Sequence, residues 1–410
     1  MSLFATMRAP RSIVFGAGQR HSLPGYARAL GQRAFIVTDE RMGAGADLAM
    51  MIDGLEAAGI ATAVFDRTLP EVPLDCIEQC VAVGRGFGPD LVIGLGGGSC
   101  LDMAKVTAVL LAHGGSPRDY FGEFKVPGAV LPLIAVPTTA GTGSEATPVA
   151  VVADSERLLK VGIASPHIIP LVAICDPELT LSAPPGLTAI AGADALTHAI
   201  EALTALPRAV TAAISHEHVF LGKNALSDGH AREAIFHLAR GLQRAVDNGG
   251  DLAAREDVMY GALLAGLAFG TAGTAAAHAI QYPVGALTKT AHGAGVACLM
   301  PYAMSFNLSH ATASIAEVAT AMGVAVAGDD ARVNAERAIG AVETLFAAIG
   351  IPPDLKALGL RADQLDWTAE QSLGAARLVK NNPRPLDLGA MQAIVRAAYQ
   401  GDRQSLLNQE

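Results

Sequence analysis

The sequence predicts two folded parts: an α/β N-terminal domain built on a parallel sheet (residues 1–185) and an all-helical C-terminal domain (residues 186–410). Three observations carry this expectation. Short β-branched runs alternate with helical stretches in the first half, as a parallel sheet flanked by helices requires. Polar, glycine-rich loops follow those runs, at the strand ends where ligands gather in such sheets. After Ala183-Pro-Pro-Gly186, alanine-rich helical periodicity takes over to the C-terminus. A length of 410 residues suits two such domains better than one.

The strands are expected at Ala34–Thr38, Asp90–Gly94 and Val130–Val136, the last with prolines near its ends. In the second half, breaks are expected near Asn248-Gly-Gly250 and Ile351-Pro-Pro353. Hydrophobic residues make up 51% and charged residues 17%, enough apolar surface for a packed core and too little charge for extended disorder. With 29 Lys+Arg against 39 Asp+Glu the formal charge is -10, and no Lys/Arg run marks a nucleic-acid footprint. The five scattered cysteines offer no disulfide framework, which fits a reducing cytoplasm. The first residues lack a sustained apolar core, so no signal peptide is expected. Val258 to Thr288 contains no Asp, Glu, Lys or Arg and is long enough for a bilayer core of ~30 Å. Its Gly, Ala and Thr content, with His278, Gln281 and Pro283 inside it, instead predicts a buried helix followed by a bend, and no membrane contact.

Asp90 to Lys105 runs from a buried strand through glycines into a helix. Gly96, Gly97 and Gly98 let backbone N–H groups approach an anion, and the helix N-terminus adds partial positive charge. A pyrophosphate suits that place, and so does a tight structural turn, since the spacing is not G-x-G-x-x-G. Pro137-Thr-Thr-Ala-Gly-Thr-Gly-Ser-Glu-Ala-Thr147 is a second such loop. Thr138, Thr139 and Thr142 offer hydroxyls to ribose or phosphate, or to an ordinary Ser/Thr turn. Asp39 closes a strand, where a carboxylate accepts ribose hydroxyls and repels a 2′-phosphate, favouring NAD over NADP; a solvated strand-end carboxylate reads the same way. Asp194 and His198 stand four apart on one helix face, and His278 and His292 bracket the uncharged stretch and the turn after it. A buried histidine needs a partner, and an Asp/His₃ site for Fe²⁺ or Zn²⁺ accounts for all four. His216, His218, His230 and His237 lie among charged residues and are expected on solvated faces.

Together, Gly96 to Lys105, Pro137 to Thr147, Gly192 to Ala202 and His278 to Gly293 resemble the iron-containing, or group III, alcohol dehydrogenase family. The likeness extends from near the N-terminus through Asn382-Pro-Arg384. It implies a Rossmann-like dinucleotide-binding domain, a helical metal domain and an active site in the cleft between them. It places metal ligands at Asp194, His198, His278 and His292, and NAD contacts at Asp39, Gly97, Gly98, Ser99, Asp102, Thr138, Thr139, Thr142 and Lys160. Phe269 matches the aromatic that lines the substrate channel. It further implies a homodimer or higher oligomer that acts on a small alcohol or aldehyde.

The sequence departs from the family pattern in three places. Tyr282 stands where many relatives carry a second histidine, four after His278, so a proton relay there would fall to a phenol or be lost. The asparagine often found beside the adenosine is missing near Leu69-Pro-Glu-Val-Pro73. Ala205 to Ser227 holds more residues than a typical member. The implied function is hydride transfer between a small alcohol or diol and nicotinamide, dependent on NAD and Fe²⁺ or Zn²⁺. A Zn²⁺-dependent polyol dehydrogenase, a maleylacetate reductase-like enzyme and a lyase like dehydroquinate synthase are the alternatives. The lyase would need basic residues for a substrate phosphate, which the neighbourhood of His278 lacks in sequence.

Overall fold

A computed structural model describes residues 3–156 and 160–407. It divides into two units: one comprises Arg8–Ser182 with Ser215–Val219, and the other comprises the segment up to Met7, Ala183–Ile214 and the chain from Phe220 onward.

The first unit carries β1 (Ser12–Phe15), β2 (Arg33–Val37), β3 (Ala61–Phe65), β4 (Leu91–Gly96), β5 (Gly122–Glu123), β6 (Leu133–Pro137), β7 (Val149–Val152), β8 (Val161–Ala164) and β9 (Val172–Cys175). Six of these form a parallel sheet in the order β1-β9-β6-β4-β2-β3. A smaller sheet has the order β5-β8-β7. The expected strands at 34–38 and 90–94 are β2 and β4 within a residue or two. The third begins at Leu133 rather than Val130, because Pro132 has no N–H to give the ladder. Every residue of β4 is buried, the signature of a sheet covered on both faces. Alternation along β2 sends Phe35 and Val37 to one apolar cluster and Ala34 and Ile36 to the other.

Sheet order reverses between β2, which leads to β3 on one side, and β4, which leads to β6 on the other, so the loops leaving β2 and β4 diverge and open a crevice at the carboxyl edge of the sheet, where the loop after the neighbouring β6 also emerges. Both glycine-rich loops lie there. The loop after β4 leads into helix α1 (Gly98–His113).

The second unit is helical. Its principal helices are α2 (Pro185–Thr204), α3 (Ala225–Asp247), α4 (Leu252–Ala272), α5 (Ala276–Thr288), α6 (His292–Ala321) and the short α7 (Ala376–Asn381). The uncharged stretch forms α4 and α5, which meet at 101° across Gly273-Thr274-Ala275. Among the described residues no single helix is long and apolar enough to cross a membrane. Residues 258–280 are buried almost throughout, which explains why they lack charge.

Candidate functional site

In the helical unit, α2 presents Asp194, His198 and Glu201 at a spacing of four and then three, one face of the helix. His278 belongs to the first turn of α5, and His292 opens α6. Asp194, His198, Glu201 and His278 are each no more than 5% exposed. One ligand atom from each of Asp194, His278 and His292 lies within 4.8 Å of the others. His198 Nε2 lies 3.7 Å from Asp194 Oδ1, and so does His278 Nε2. The four residues singled out as metal ligands thus converge.

Gly293 makes the approach of α6 possible. A Cβ there would stand 2.2 Å from the Ile190 carbonyl oxygen and 3.1 Å from Asp194 Cβ, so any larger residue would push His292 away from α2. Phe269 lies flat on His198, with ring centroids 4.1 Å apart, and His198 in turn stacks on His278 at 4.6 Å.

The charges at this centre support one another. Burial alone would raise Asp194, but His198, His278 and His292 outweigh it and hold its carboxyl well below the ordinary range. Burial pulls His278 down, while the carboxylates of Glu201 and Asp194 more than offset that and set it at about 9. Asp194 Oδ1 and His278 Nε2 are buried and find no hydrogen-bond partner among the described residues. Burying two such atoms without a partner is costly, and a shared divalent ion would remove that cost. One carboxylate with three imidazoles is a donor set suited to Fe²⁺ or Zn²⁺.

Glu201 was not singled out in the sequence, although it lies inside the quoted Gly192 to Ala202 motif. Its carboxylate accepts from His278 Nδ1 at 2.7 Å and from the backbone N–H groups of Ala275 and Ala277, each at 2.8 Å. The signal was its position seven after Asp194; its partners lie more than 70 residues away and could not be read locally.

Tyr282 stacks near His292, with centroids 6.3 Å apart. Desolvation raises its phenol above the usual value, partly opposed by the charge of Arg377. Arg377 reaches this neighbourhood from α7 and lies 4.0 Å over the Phe220 ring. The surroundings of His278 are therefore uncharged in sequence but not in space. Phe220 lies within the longer 205–227 segment, and Leu221 N donates to the Thr271 carbonyl at the end of α4. His237, expected on a solvated face, instead bridges α3 to α4 through Asp257 at 2.8 Å. His230 is half-buried, and burial lowers its pKa. His216 is exposed and His218 half-buried.

In the α/β unit, the two glycine-rich loops meet. Thr138 N donates to Gly96 O at 2.9 Å. A Cβ on Gly97 would touch Thr139 at 3.4 Å, and one on Gly98 would collide with Thr142 at 2.5 Å, so glycine lets the α1 N-terminus lie against this loop. The Thr138 hydroxyl is buried with no hydrogen-bond partner among the described residues, a donor and acceptor placed at the strand end. Asp39 caps the short helix Glu40–Gly43 through Met42 N at 2.9 Å, and its other oxygen lies 3.7 Å from Cys100 Sγ, beside the first glycines. Ser99 Oγ accepts from Glu71 N at 3.3 Å, and Lys160 pairs with the Glu71 carboxylate at 3.0 Å. Asp102 turns inward: its oxygens accept from Ser144 Oγ at 2.6 Å and Val151 N at 2.9 Å. It thereby braces α1 against the loop, which is a supporting position rather than a surface one.

A family model described as iron-containing alcohol dehydrogenase matches residues 10–177, and the C-terminal model of the same family matches residues 188–399. The chain therefore belongs to the iron-containing alcohol dehydrogenase family, oxidoreductases that act on CH–OH groups. Among curated relatives, it is 38% identical over 354 residues to long-chain-alcohol dehydrogenase 1 of Geobacillus thermodenitrificans, covering 85% of this chain and 84% of that one. It is 33% identical over 390 residues to the NAD-dependent methanol dehydrogenase of Bacillus methanolicus, covering 95% and 98%. The solved alcohol dehydrogenase from Oenococcus oeni superposes with a TM-score of 0.90 at 30% identity, covering 97% of this chain and 100% of that one.

Proposed function

We propose that the protein is an NAD-dependent, divalent-metal-dependent alcohol dehydrogenase and aldehyde reductase for small alcohols or diols. In this reading Asp194, His198, His278 and His292 hold Fe²⁺, or Zn²⁺ in its place. The observation that carries it is the convergence of the ligand atoms, two of which, Asp194 Oδ1 and His278 Nε2, are buried without a hydrogen-bond partner among the described residues. A divalent ion held there supplies a Lewis acid that lowers the pKa of an alcohol and polarises an aldehyde carbonyl. A nicotinamide cofactor supplies the hydride acceptor or donor.

The chain's own residues do the positioning. The α1 N-terminus, Gly97, Gly98 and Ser99 offer N–H groups to a pyrophosphate, and Thr138, Thr139 and Thr142 offer hydroxyls. Asp39 accepts the adenosine ribose hydroxyls, and Lys160 adds a positive charge nearby. Asp102 holds the two loop walls in register. Phe269 fixes the plane of His198 and keeps water from its face. Tyr282 keeps its proton near neutrality, so it can donate a hydrogen bond to substrate but is a poor proton acceptor. Five buried free thiols support a reducing, cytoplasmic setting, and the family resemblance supports a homo-oligomer.

The test is to follow NADH formation with a panel of primary alcohols and diols, using protein stripped with a chelator and then restored with Fe²⁺ or Zn²⁺. Activity that returns with metal supports the reading. Activity indifferent to metal, or no NAD-linked activity with any alcohol or aldehyde, contradicts it.

A further inference from the structure

Helix α5 begins without a capping side chain of its own, since its N-cap residue is Ala275. Exposed N–H groups at a buried helix start need acceptors. Here the acceptor arrives from another helix: Glu201 Oε2 takes the Ala275 N–H and Glu201 Oε1 takes the Ala277 N–H, both at 2.8 Å. The same Oε2 faces His278 Nδ1 at 2.7 Å. An ionised carboxylate only accepts, so Nδ1 carries a proton whether the ring is neutral or charged, and Nε2 is the nitrogen left to give its lone pair to an ion. Nε2 is the atom turned toward Asp194 Oδ1, 3.7 Å away.

From this geometry we infer that Glu201 is a positioning residue for the metal centre: it fixes His278 as the Nδ1–H tautomer and fixes the ring's orientation, while capping the helix that carries it. The inference rests on the metal-site reading above. Glu201 is well placed for both tasks. It is 2% exposed, and it projects from the same face of α2 as Asp194 and His198, so one rigid helix sets two ligands directly and a third through its partner. Its negative charge lies at the α5 N-terminus, where the helix dipole favours it. A carboxylate behind a coordinating imidazole raises the ring's donor strength, and losing such a partner weakens metal binding by roughly 10- to 100-fold.

The test uses metal affinity rather than turnover. Zn²⁺ binding to the full-length wild type and to Glu201→Gln is measured by competition with a chelating indicator, with metal-free melting and NADH binding as controls on folding. Gln keeps the shape and one acceptor but removes the charge, so affinity is expected to fall by about tenfold, and Glu201→Leu by about a hundredfold. A purely structural cap would lower the metal-free melting temperature and leave the affinity of the folded protein unchanged, which overturns the inference. Should the variants fail to fold, ¹⁵N-histidine NMR of the Zn²⁺-loaded wild type still decides: at His278 a protonated Nδ1 with Nε2 on the metal is expected, and coordination through Nδ1 overturns it. Wild type that takes up no Zn²⁺ or Fe²⁺ overturns the functional reading itself, and unaltered affinity in Glu201→Gln overturns this inference alone.

Discussion

The Phe269 ring lies on the His198 imidazole with planes only 13° from parallel and centroids 4.1 Å apart. The two rings come from different helices, α4 and α2, so this stack ties the side-chain orientation of one to the packing of the other. Phe269 is 7% exposed. Phe269→Ala is expected to cost about 3 kcal/mol through the lost ring and the cavity left behind. Urea denaturation measures it. If the ring positions His198, metal content falls as well; a change confined to KM would mean that it only lines the substrate path.

Asp39 has one oxygen committed to Met42 N, so its carboxylate cannot swing away from the glycines. NADH should be used in preference to NADPH, because the 2′-phosphate would meet that charge. Asp39→Gly should narrow the preference chiefly by improving kcat/KM for NADPH. Equal use of both cofactors by wild type contradicts the assignment.

Tyr282 occupies the place of a family histidine. Because its phenol stays protonated near neutrality, alcohol oxidation should rise with pH as water or hydroxide becomes the better proton acceptor. Tyr282→Phe should change kcat only modestly. Tyr282→His introduces a group titrating near neutrality and should shift the half-maximal pH downward. A pH profile moved by neither substitution would assign the position to packing or substrate shape.

Within the loop of Thr138 to Thr147, burial raises Glu145 from 4.5 to about 7, only partly opposed by a backbone hydrogen bond and the charge of Lys105. A raised carboxyl binds its proton more tightly in the folded protein, so folding loses stability as pH climbs from about 4.5 to about 7. Glu145→Gln cannot ionise. It should match wild type near the lower end of that window and be more stable above the upper end, by up to about 3 kcal/mol. Denaturant midpoints at both ends measure the gap. A gap of equal size throughout would mean that Glu145 does not ionise in this range.

The β-branched runs of β2 and β4 and the glycines after β4 were legible because local composition and spacing dictate them. β1, β3 and β9 were less so: each is only four or five residues long, and their pairing depends on neighbours distant in sequence. Asp194 and His198 announced themselves by an interval of four. Glu201 did not, because its roles as cap and imidazole partner exist only once α5 docks on α2. Asp102 matched a cofactor position by motif, yet its oxygens are engaged by Ser144 and Val151, which only the loop's path reveals. Arg377 is nearly a hundred residues from His278 in sequence, and no periodicity connects them.

The most direct test of the account is the metal content of purified wild type and His278→Ala, measured alongside NADH binding and turnover. The account predicts one divalent ion per wild-type chain. It predicts loss of that ion and of turnover in the variant, since three remaining ligands bind more weakly, with NADH still bound by the two glycine-rich loops of the α/β unit. A variant that keeps a full equivalent of metal and wild-type kinetics would contradict it.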